Sequence, residues 1–302
     1  ATCQIYGLGS NDTAATLIAT LRKGKPKAKV KIKNRVESIL VDKSSKSGSG
    51  IGATTLNDGL TYGNYPFGTR VQDEVISLNV PDVIEIHGIF ESPNVGDPSA
   101  PAINLTSITN LSGTTSDLLV GEVIRGATSD AIAVVAEKLT SAKITVLYKN
   151  DFKFKEGEAV TFAESNTKAV VATLETDSFD VSGNYTYESG QEPTFYDYGR
   201  INRKADSEEP SKKLKIYYKS ASYDSNDTGD ITTVNSYSDF DPSTEIPGIG
   251  GFRATDIIDI RPRVSPYTVA ADARSPLEFD GRTFTAAGNS AANILASDEE
   301  IF

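Results

Sequence analysis

Short runs in which β-branched and aromatic residues alternate with polar ones recur along this chain, separated by clusters of Gly, Asn, Asp and Ser. Such alternation places apolar side chains on one face of an extended strand, and the intervening clusters favour turns. Apolar residues at helical spacing are scarce, and the best helix candidate is the short segment 11–22. The sequence therefore predicts an all-β protein of several small sandwich-like or barrel-like modules joined by long loops, one of them at 43–68.

Composition limits the classes of function. Hydrophobic residues make up 38% of the 302 residues, enough to bury real cores. Because no apolar run approaches the ~18 residues of a membrane-spanning helix, we expect no membrane span. The formal net charge is −11. A strongly acidic chain is a poor partner for phosphate backbones, so nucleic acid is an unlikely main partner.

The chain has few of the groups that enzymes use. Cys3 and His87 are its single cysteine and single histidine. One cysteine forms no intrachain disulfide, and a Cys/His zinc site needs more ligands of these types. One imidazole leaves little for nucleophilic or acid–base catalysis at neutral pH. We therefore expect no enzyme activity, metal, cofactor or small-molecule substrate, and we interpret His87 as a packing residue within a strand.

The most basic segment spans residues 23–35 and carries a cation at every odd position. On an extended strand these cations share one face, and Pro26 places the start of the segment at a sheet edge. One interpretation is an edge strand whose lysines block unwanted pairing. Others are a contact for an acidic neighbouring subunit and non-specific phosphate binding. The candidate contact residues are Lys23, Lys25, Lys27, Lys29, Lys31, Lys33 and Arg35.

An internal repeat lies in the middle of the chain. Gly121-Glu122 aligns with Gly157-Glu158 at an offset of 36 residues, and 133–135 aligns with 169–171. Each unit is predicted to contain strands joined by a Gly-Glu turn and a Thr/Ser turn, and two units make a small sandwich or barrel. The repeated glutamates are interpreted as solvated turn residues. We predict an inserted module at 105–178, between an N-terminal β region at 1–104 and a C-terminal β domain at 179–302.

The C-terminal region carries a series of ordered motifs. They are GQEPTFYDYGRI at 190–201, LKIYY at 214–218, GDITTVNSY at 229–237, EIP at 245–247 and TDIIDIRPRV at 255–264. In this order they resemble a domain of unknown function in large tail or baseplate structural proteins of contractile-tailed bacteriophages, particularly those that infect marine cyanobacteria. With the stretch at 82–92, the resemblance covers residues 76–302.

The resemblance implies an architectural role in the virion, with other virion subunits as partners and an extracellular location after release. Self-association into a homo-oligomer is left open. Members of that family are much longer than this chain, which also lacks Met. We therefore interpret the sequence as a segment of a longer polypeptide, the alternative being removal of an initiator Met before Ala1.

Within this region, tyrosine and arginine form candidate subunit contacts. On a strand, Tyr196, Tyr198 and Arg200 share one face and Asp197 lies on the other. Tyr and Arg are frequent anchors of protein contacts, and the alternative is a buried Tyr/Arg corner inside one domain. The remaining candidates are Arg261 and Arg263, which flank Pro262 and are expected to meet carboxylates inside the fold or across a subunit joint.

Three rival hypotheses remain. An adhesin or tail-fibre segment would bind a host-surface glycan by stacking exposed tyrosines on sugars, with Tyr185, Tyr187, Tyr196 and Tyr198 as the candidates. A depolymerase would use paired carboxylates, with Asp256, Asp259, Glu278 and Asp280 as the candidates. Residues 224–230 resemble a calcium loop, but Asn235 stands where a bidentate Glu is needed, and a hairpin turn is the favoured interpretation.

Overall fold

A computed structural model describes residues 25, 27–41, 70–193, 195–223, 227, 229, 232–241, 248–249 and 252–253. Outside this part of the chain lie the predicted helix at 11–22, the predicted loop at 43–68, Lys23, Arg261, Arg263, the carboxylates of the depolymerase hypothesis and most of the calcium-like stretch.

The described residues form an all-β protein, which confirms the predicted fold class. The strands are β1 (Lys31–Val41), β2 (Val75–Pro81), β3 (Val83–Glu91), β4 (Ala102–Thr109), β5 (Val123–Gly126), β6 (Ile132–Thr140), β7 (Lys143–Tyr148), β8 (Ala159–Phe162), β9 (Lys168–Glu175), β10 (Phe179–Asp180), β11 (Tyr185–Glu188), β12 (Tyr198–Arg203), β13 (Leu214–Tyr223), β14 (Gly248–Ile249) and β15 (Phe252–Arg253). In the described part of the chain the helical elements are short 3-10 turns at Thr115–Asp117, Ser182–Asn184 and Val234–Tyr237. None of these is long and apolar enough to cross a bilayer.

Two antiparallel sheets share one apolar core. The first has the order β1-β13-β3-β10 and the second the order β11-β12-β2. Alternate residues of both sheets point into the core, as the period of two in their sequences predicts. The core residues include Ile76 and Ile201 from the second sheet and Ile89, Leu214 and Ile216 from the first.

This sandwich is built from both ends of the chain. Strand β13 pairs with β1 and β3, and β12 pairs with β2. Residues of the two predicted regions 1–104 and 179–302 therefore lie side by side in the same sheets. The barrel is inserted between β3 and β10, and Glu91 of β3 is the registered partner of Phe179 of β10.

The inserted module is a closed six-stranded barrel in the order β4-β7-β6-β5-β8-β9. Its interior is filled by buried aliphatic residues such as Ile103, Ile124, Ile144, Val160 and Val171. Closure leaves no free sheet edge in this module. Of the two predicted alternatives, a small sandwich or a barrel, the module is a barrel. Its first strand, β4, begins at Ala102, and the predicted boundary was residue 105.

The barrel has an internal two-fold relationship. Strands β5 and β6 pair in the same register as β8 and β9, with every paired position displaced by 36 residues. Strand β7 pairs with β6 as β4 pairs with β9, and the two ladders share one register shift, at Ala136 of β6 and at Ala172 of β9, 36 residues apart. Each ladder also has a second shift, and these second shifts are not at equivalent positions. The first half is thus β5-β6-β7, and β4, which precedes both repeats, completes the second half. The displaced pairs are Val123 with Val134 and Ala159 with Val170, then Ile124 with Ala133 and Val160 with Ala169.

One half of the barrel packs on the sandwich. Val134, Ala136 and Leu147 form a buried cluster with Phe90 and Tyr217 of the sandwich. The Phe90 and Tyr217 rings meet edge to face with centroids 5.8 Å apart, a favoured aromatic geometry. In the other half, Val170 and Thr106 occupy the positions of Val134 and Leu147 and are not buried. The first half is therefore the one whose outer face is buried against the sandwich.

Paired glycines of the two repeats provide a matched test of this junction. Gly121 has φ 84° and Gly157 has φ 82°, so an alanine at either position is strained by about 1–2 kcal/mol. A Cβ at Gly121 would also collide with Arg35 Cβ, whereas nothing lies within 4 Å of a Cβ at Gly157. We expect Gly121→Ala to lower the free energy of unfolding more than Gly157→Ala, as measured by urea denaturation. Equal losses would contradict a tight Arg35 contact.

Candidate functional site

A lysine and an aspartate form a buried ion pair at the beginning of β1. Lys31 Nζ lies 2.6 Å from Asp82 Oδ2, and their side chains are 1% and 2% exposed. Asp82 stands between β2 and β3 with φ 58°, a left-handed conformation that Asp tolerates better than most residues. Gln191 Nε2 donates to the other carboxylate oxygen, Oδ1, over 3.0 Å.

Tyrosine rings enclose the Lys31 ammonium group. Its Nζ lies 5.0 Å from the ring centroid of Tyr196, 5.6 Å from that of Tyr223 and 5.0 Å from that of Tyr237. These distances are within the range of cation–π attraction. Burial opposes the charge of Lys31, but the Asp82 carboxylate and the surrounding tyrosines hold its pKa well above the ordinary value. The result is a dry pocket in which an amine and a carboxyl group touch.

The structure divides the predicted basic segment into different environments. Regular strand begins at Lys31, and among the described residues β1 pairs only with β13, at the edge of the sheet. Lys25 and Lys27 are exposed, Lys33 and Arg35 are half-buried, and Lys29 and Lys31 are buried. Lys29 and Lys31 therefore do not contribute to an outer contact surface. The alternating pattern predicted a shared face, but not that distant tyrosines cover part of it.

The tyrosine and arginine candidates form the buried corner that was the alternative interpretation. Tyr196 and Tyr198 are almost fully buried. Arg200 pairs with Glu188, and its Nη1 lies 3.4 Å from Asp197 Oδ2. The prediction that Asp197 lies opposite Arg200 is wrong, because β12 begins only at Tyr198 and residue 197 belongs to the preceding loop.

The tyrosines proposed for sugar stacking are mostly inside the fold. Tyr185, Tyr196 and Tyr198 are buried, whereas Tyr187 is 41% exposed. The Tyr187 hydroxyl donates to the Ile84 carbonyl. The expectation of four exposed rings is therefore wrong, because Tyr185 packs in the sandwich core and the Tyr196 ring covers the Lys31 ammonium group.

The first repeated glutamate joins the two halves of the barrel. Glu122 is fully buried, and its Oε1 accepts from Leu119 N over 2.7 Å within its own repeat. Its Oε2 accepts from Glu164 N over 3.2 Å and from Ser165 N over 3.0 Å, both in a turn of the second repeat. The carboxylate thus satisfies backbone donors that the turn leaves unpaired.

The second repeated glutamate makes the reciprocal contacts. Glu158 Oε1 accepts from Lys155 N over 2.9 Å, and its Oε2 accepts from Thr128 N over 3.3 Å and Ser129 N over 3.1 Å in the first repeat. Burial raises the pKa of Glu158, but these hydrogen bonds outweigh burial and hold that pKa below its ordinary value. The interpretation of both glutamates as solvated turn residues is wrong, because each one caps the other repeat.

A charged cluster containing His87 lies at the junction of the sandwich and the barrel. His87 Nε2 lies 2.8 Å from the Arg35 carbonyl oxygen, to which it donates, and Nδ1 lies 2.9 Å from Lys149 Nζ. Glu85 pairs with Lys149 and lies 3.4 Å from Lys219 Nζ. Burial raises the pKa of Glu85, but contacts with His87 and Lys149 hold it far below its ordinary value. The buried imidazole supports the interpretation of His87 as a packing residue.

Among the residues that the structure describes, no group of three or more His, Cys, Asp or Glu side chains is arranged to hold a metal ion. The chain matches no protein-family model, no curated protein and no solved structure. The resemblance to phage tail and baseplate proteins therefore rests on the ordered sequence motifs alone. The contacts within this chain are the remaining basis for a functional proposal.

Replacement of Glu158 tests the cross-repeat cap. Glu158→Gln keeps the shape of the side chain but leaves buried donors unpaired, so we expect a loss of about 1–3 kcal/mol in the free energy of unfolding. Because the folded pKa of Glu158 is lowered, its stabilisation is present above the unfolded pKa of about 4.3 and is lost as pH falls through the folded value.

Urea denaturation between neutral pH and pH 3 checks both expectations. The variant should lose less stability than the parent protein as pH falls through this range. Glu208→Gln, at an exposed position, provides the control and should change little. A Glu158→Gln protein as stable as the parent would contradict the role of the carboxylate.

Proposed function

We propose that this chain is a structural component of a bacteriophage tail or baseplate, where it scaffolds other virion subunits and performs no catalysis. The observation that carries the proposal is the use of its buried charged groups. Lys31, Asp82, Glu122 and Glu158 all connect segments that are distant in sequence. These contacts between distant segments hold the fold in one shape, which a scaffold protein must keep while it binds several neighbouring subunits.

Further charged contacts hold the barrel against the sandwich. Lys215 Nζ of β13 lies 2.5 Å from Glu137 Oε1 of β6, and the Tyr217 hydroxyl lies 3.3 Å from the same oxygen. Arg35 of β1 lies 2.6 Å from both carboxylate oxygens of Glu164 in the barrel. Arg35 uses the single nitrogen Nη1 for both contacts, and this pair is partly exposed. The contacts of Lys215 and Arg35 join the barrel to the sandwich, as expected of a scaffold.

The edge strand β1 is the proposed surface for a neighbouring subunit. Val30, just before β1, and Leu40, near its end, are large apolar residues that remain exposed. Lys25 and Lys27 are exposed cations on the same segment of an otherwise acidic chain. Within the described ranges the outer edge of β1 has no paired strand, and such an edge accepts another strand, with opposite charge selecting the partner. An acidic virion subunit fits this surface, and a second copy of this acidic chain is a further candidate.

A groove favours the adhesin hypothesis as a second candidate. It has a volume of about 470 Å³ and is lined by both modules, including Tyr148, Asp151 and Asp180. Two exposed aromatic residues are sequence neighbours of residues that line the groove: Phe152 follows Asp151, and Phe179 precedes Asp180. Clefts of this size at module junctions suit small ligands. Binding of a host glycan that is lost on Phe179→Ala would favour this function over scaffolding.

Incorporation into particles tests the scaffold proposal. We expect mass spectrometry of purified virions to find the chain at a fixed ratio to other tail proteins, and electron microscopy to place it in the tail or baseplate. Reversing two exposed charges with Lys25→Glu and Lys27→Glu should reduce incorporation, because an acidic neighbour would then be repelled.

The matched control is Lys168→Glu, an exposed charge reversal on the barrel, which should incorporate normally. Purified particles that lack the chain would contradict the proposal.

A further inference from the structure

We propose that Lys31 and Asp82 condense to an amide bond that covalently links β1 to the connection between β2 and β3. This inference goes beyond the proposed scaffold function and does not depend on it. Its first support is proximity, since the amine nitrogen and a carboxylate oxygen, 51 residues apart in sequence, lie 2.6 Å from each other. Holding the two groups side by side removes much of the entropic cost of bringing them together.

The second support is the exclusion of water. Both side chains are almost completely buried, and the rings of Tyr196, Tyr223 and Tyr237 surround the nitrogen. A buried ion pair is costly to keep because both charges lose their hydration. Conversion to a neutral amide removes both charges. Because the pocket is buried, the water formed by the reaction leaves it and little water returns to hydrolyse the amide.

The reaction balances without any added reagent. A proton first passes from Lys31 Nζ to Asp82 Oδ2 along their contact, which gives a neutral amine and a carboxylic acid. The nitrogen lone pair then forms a bond to Asp82 Cγ, and the carbonyl electron pair moves onto Oδ1. A second proton moves from nitrogen to Oδ2, the Cγ–Oδ2 bond breaks, and one water leaves as the carbonyl re-forms. An ammonium and a carboxylate have become an amide and water.

Two neighbouring groups suit the charges that develop during this reaction. Gln191 Nε2 lies 3.0 Å from Asp82 Oδ1 and donates to the oxygen on which negative charge appears. The Tyr196 hydroxyl lies 3.4 Å from Lys31 Nζ, so its oxygen faces the positive charge that develops on the nitrogen as the new bond forms. Both groups are held by the loop that ends in the buried tyrosine corner.

The bond would close a covalent loop around residues 31–82. Strand β1 pairs on one side only, with β13, among the described residues. A covalent link at its first residue prevents β1 from separating at that end, and it reduces the conformational freedom of the unfolded chain. If a neighbouring subunit pulls on β1, the covalent bond keeps the strand attached after its hydrogen bonds to β13 have broken.

Intact-mass spectrometry of the denatured full-length chain tests the proposal. The parent protein should weigh one water molecule less than its sequence requires. Protease digestion should yield a branched peptide that joins the Lys31 and Asp82 fragments, with no cleavage after Lys31. Lys31→Met and Asp82→Ala should each show the full mass of their sequences.

The matched control is Lys29→Met, which removes a neighbouring buried lysine and should retain the loss of water. Gln191→Leu should slow the loss of water after refolding by about 10²-fold, as expected when a donor to the developing oxyanion is removed. If a folded Gln191→Leu protein lost water at the parent rate, Gln191 would not stabilise the developing oxyanion.

A folded parent protein that keeps its full mass after long incubation overturns the proposal, as does a loss of water that digestion places elsewhere. This result does not depend on whether the variants fold, because it is measured on the parent chain. It also leaves the scaffold function intact, since incorporation into virions is measured separately.

Discussion

Asp82 connects the parts of the sandwich. Its carboxylate accepts from Lys31 of β1 and from Gln191, and its carbonyl accepts from Ala221 N of β13 over 3.0 Å. One residue between β2 and β3 therefore joins both sheets to the loop before β12. Loss of one partner of a buried ion pair typically costs about 3–5 kcal/mol, because the other charge is left without compensation. The placement of the tyrosine corner and of the edge strand depends on this contact.

The barrel shows how a duplicated unit becomes a specialised one. Its two halves keep the same short ladder at the Gly-Glu turn, one register shift in common and the same reciprocal glutamate caps. They differ on the outside, where the half with Leu147 packs on Tyr217 of the sandwich and the other half has Thr106 at the equivalent position. Of the two equivalent faces, the one with Leu147 is therefore the face that contacts the sandwich.

The sequence predicts local structure well and distant partners poorly. The 36-residue offset predicts the barrel because strand pairing and turn geometry are local properties that a repeat preserves. The burial of Glu122 was missed because its partner backbone lies more than forty residues away in the second repeat. Likewise, the alternation around Lys31 indicates a shared face, but the tyrosines that cover it lie at positions 196, 223 and 237. The sequence did contain one signal for this burial. Glu follows Gly at the same turn in both repeats, and a charged residue kept at the same turn indicates that both copies make the same contact.

The pairing of Glu91 with Phe179 has a consequence for the segment between them. Because these residues are registered neighbours, the chain leaves the sandwich and returns to it at points only about 5 Å apart. The segment between them, which contains the barrel, is therefore an insertion whose two ends lie next to each other in the sheet. A change of length within this segment therefore does not require a change in the register of β3 with β10.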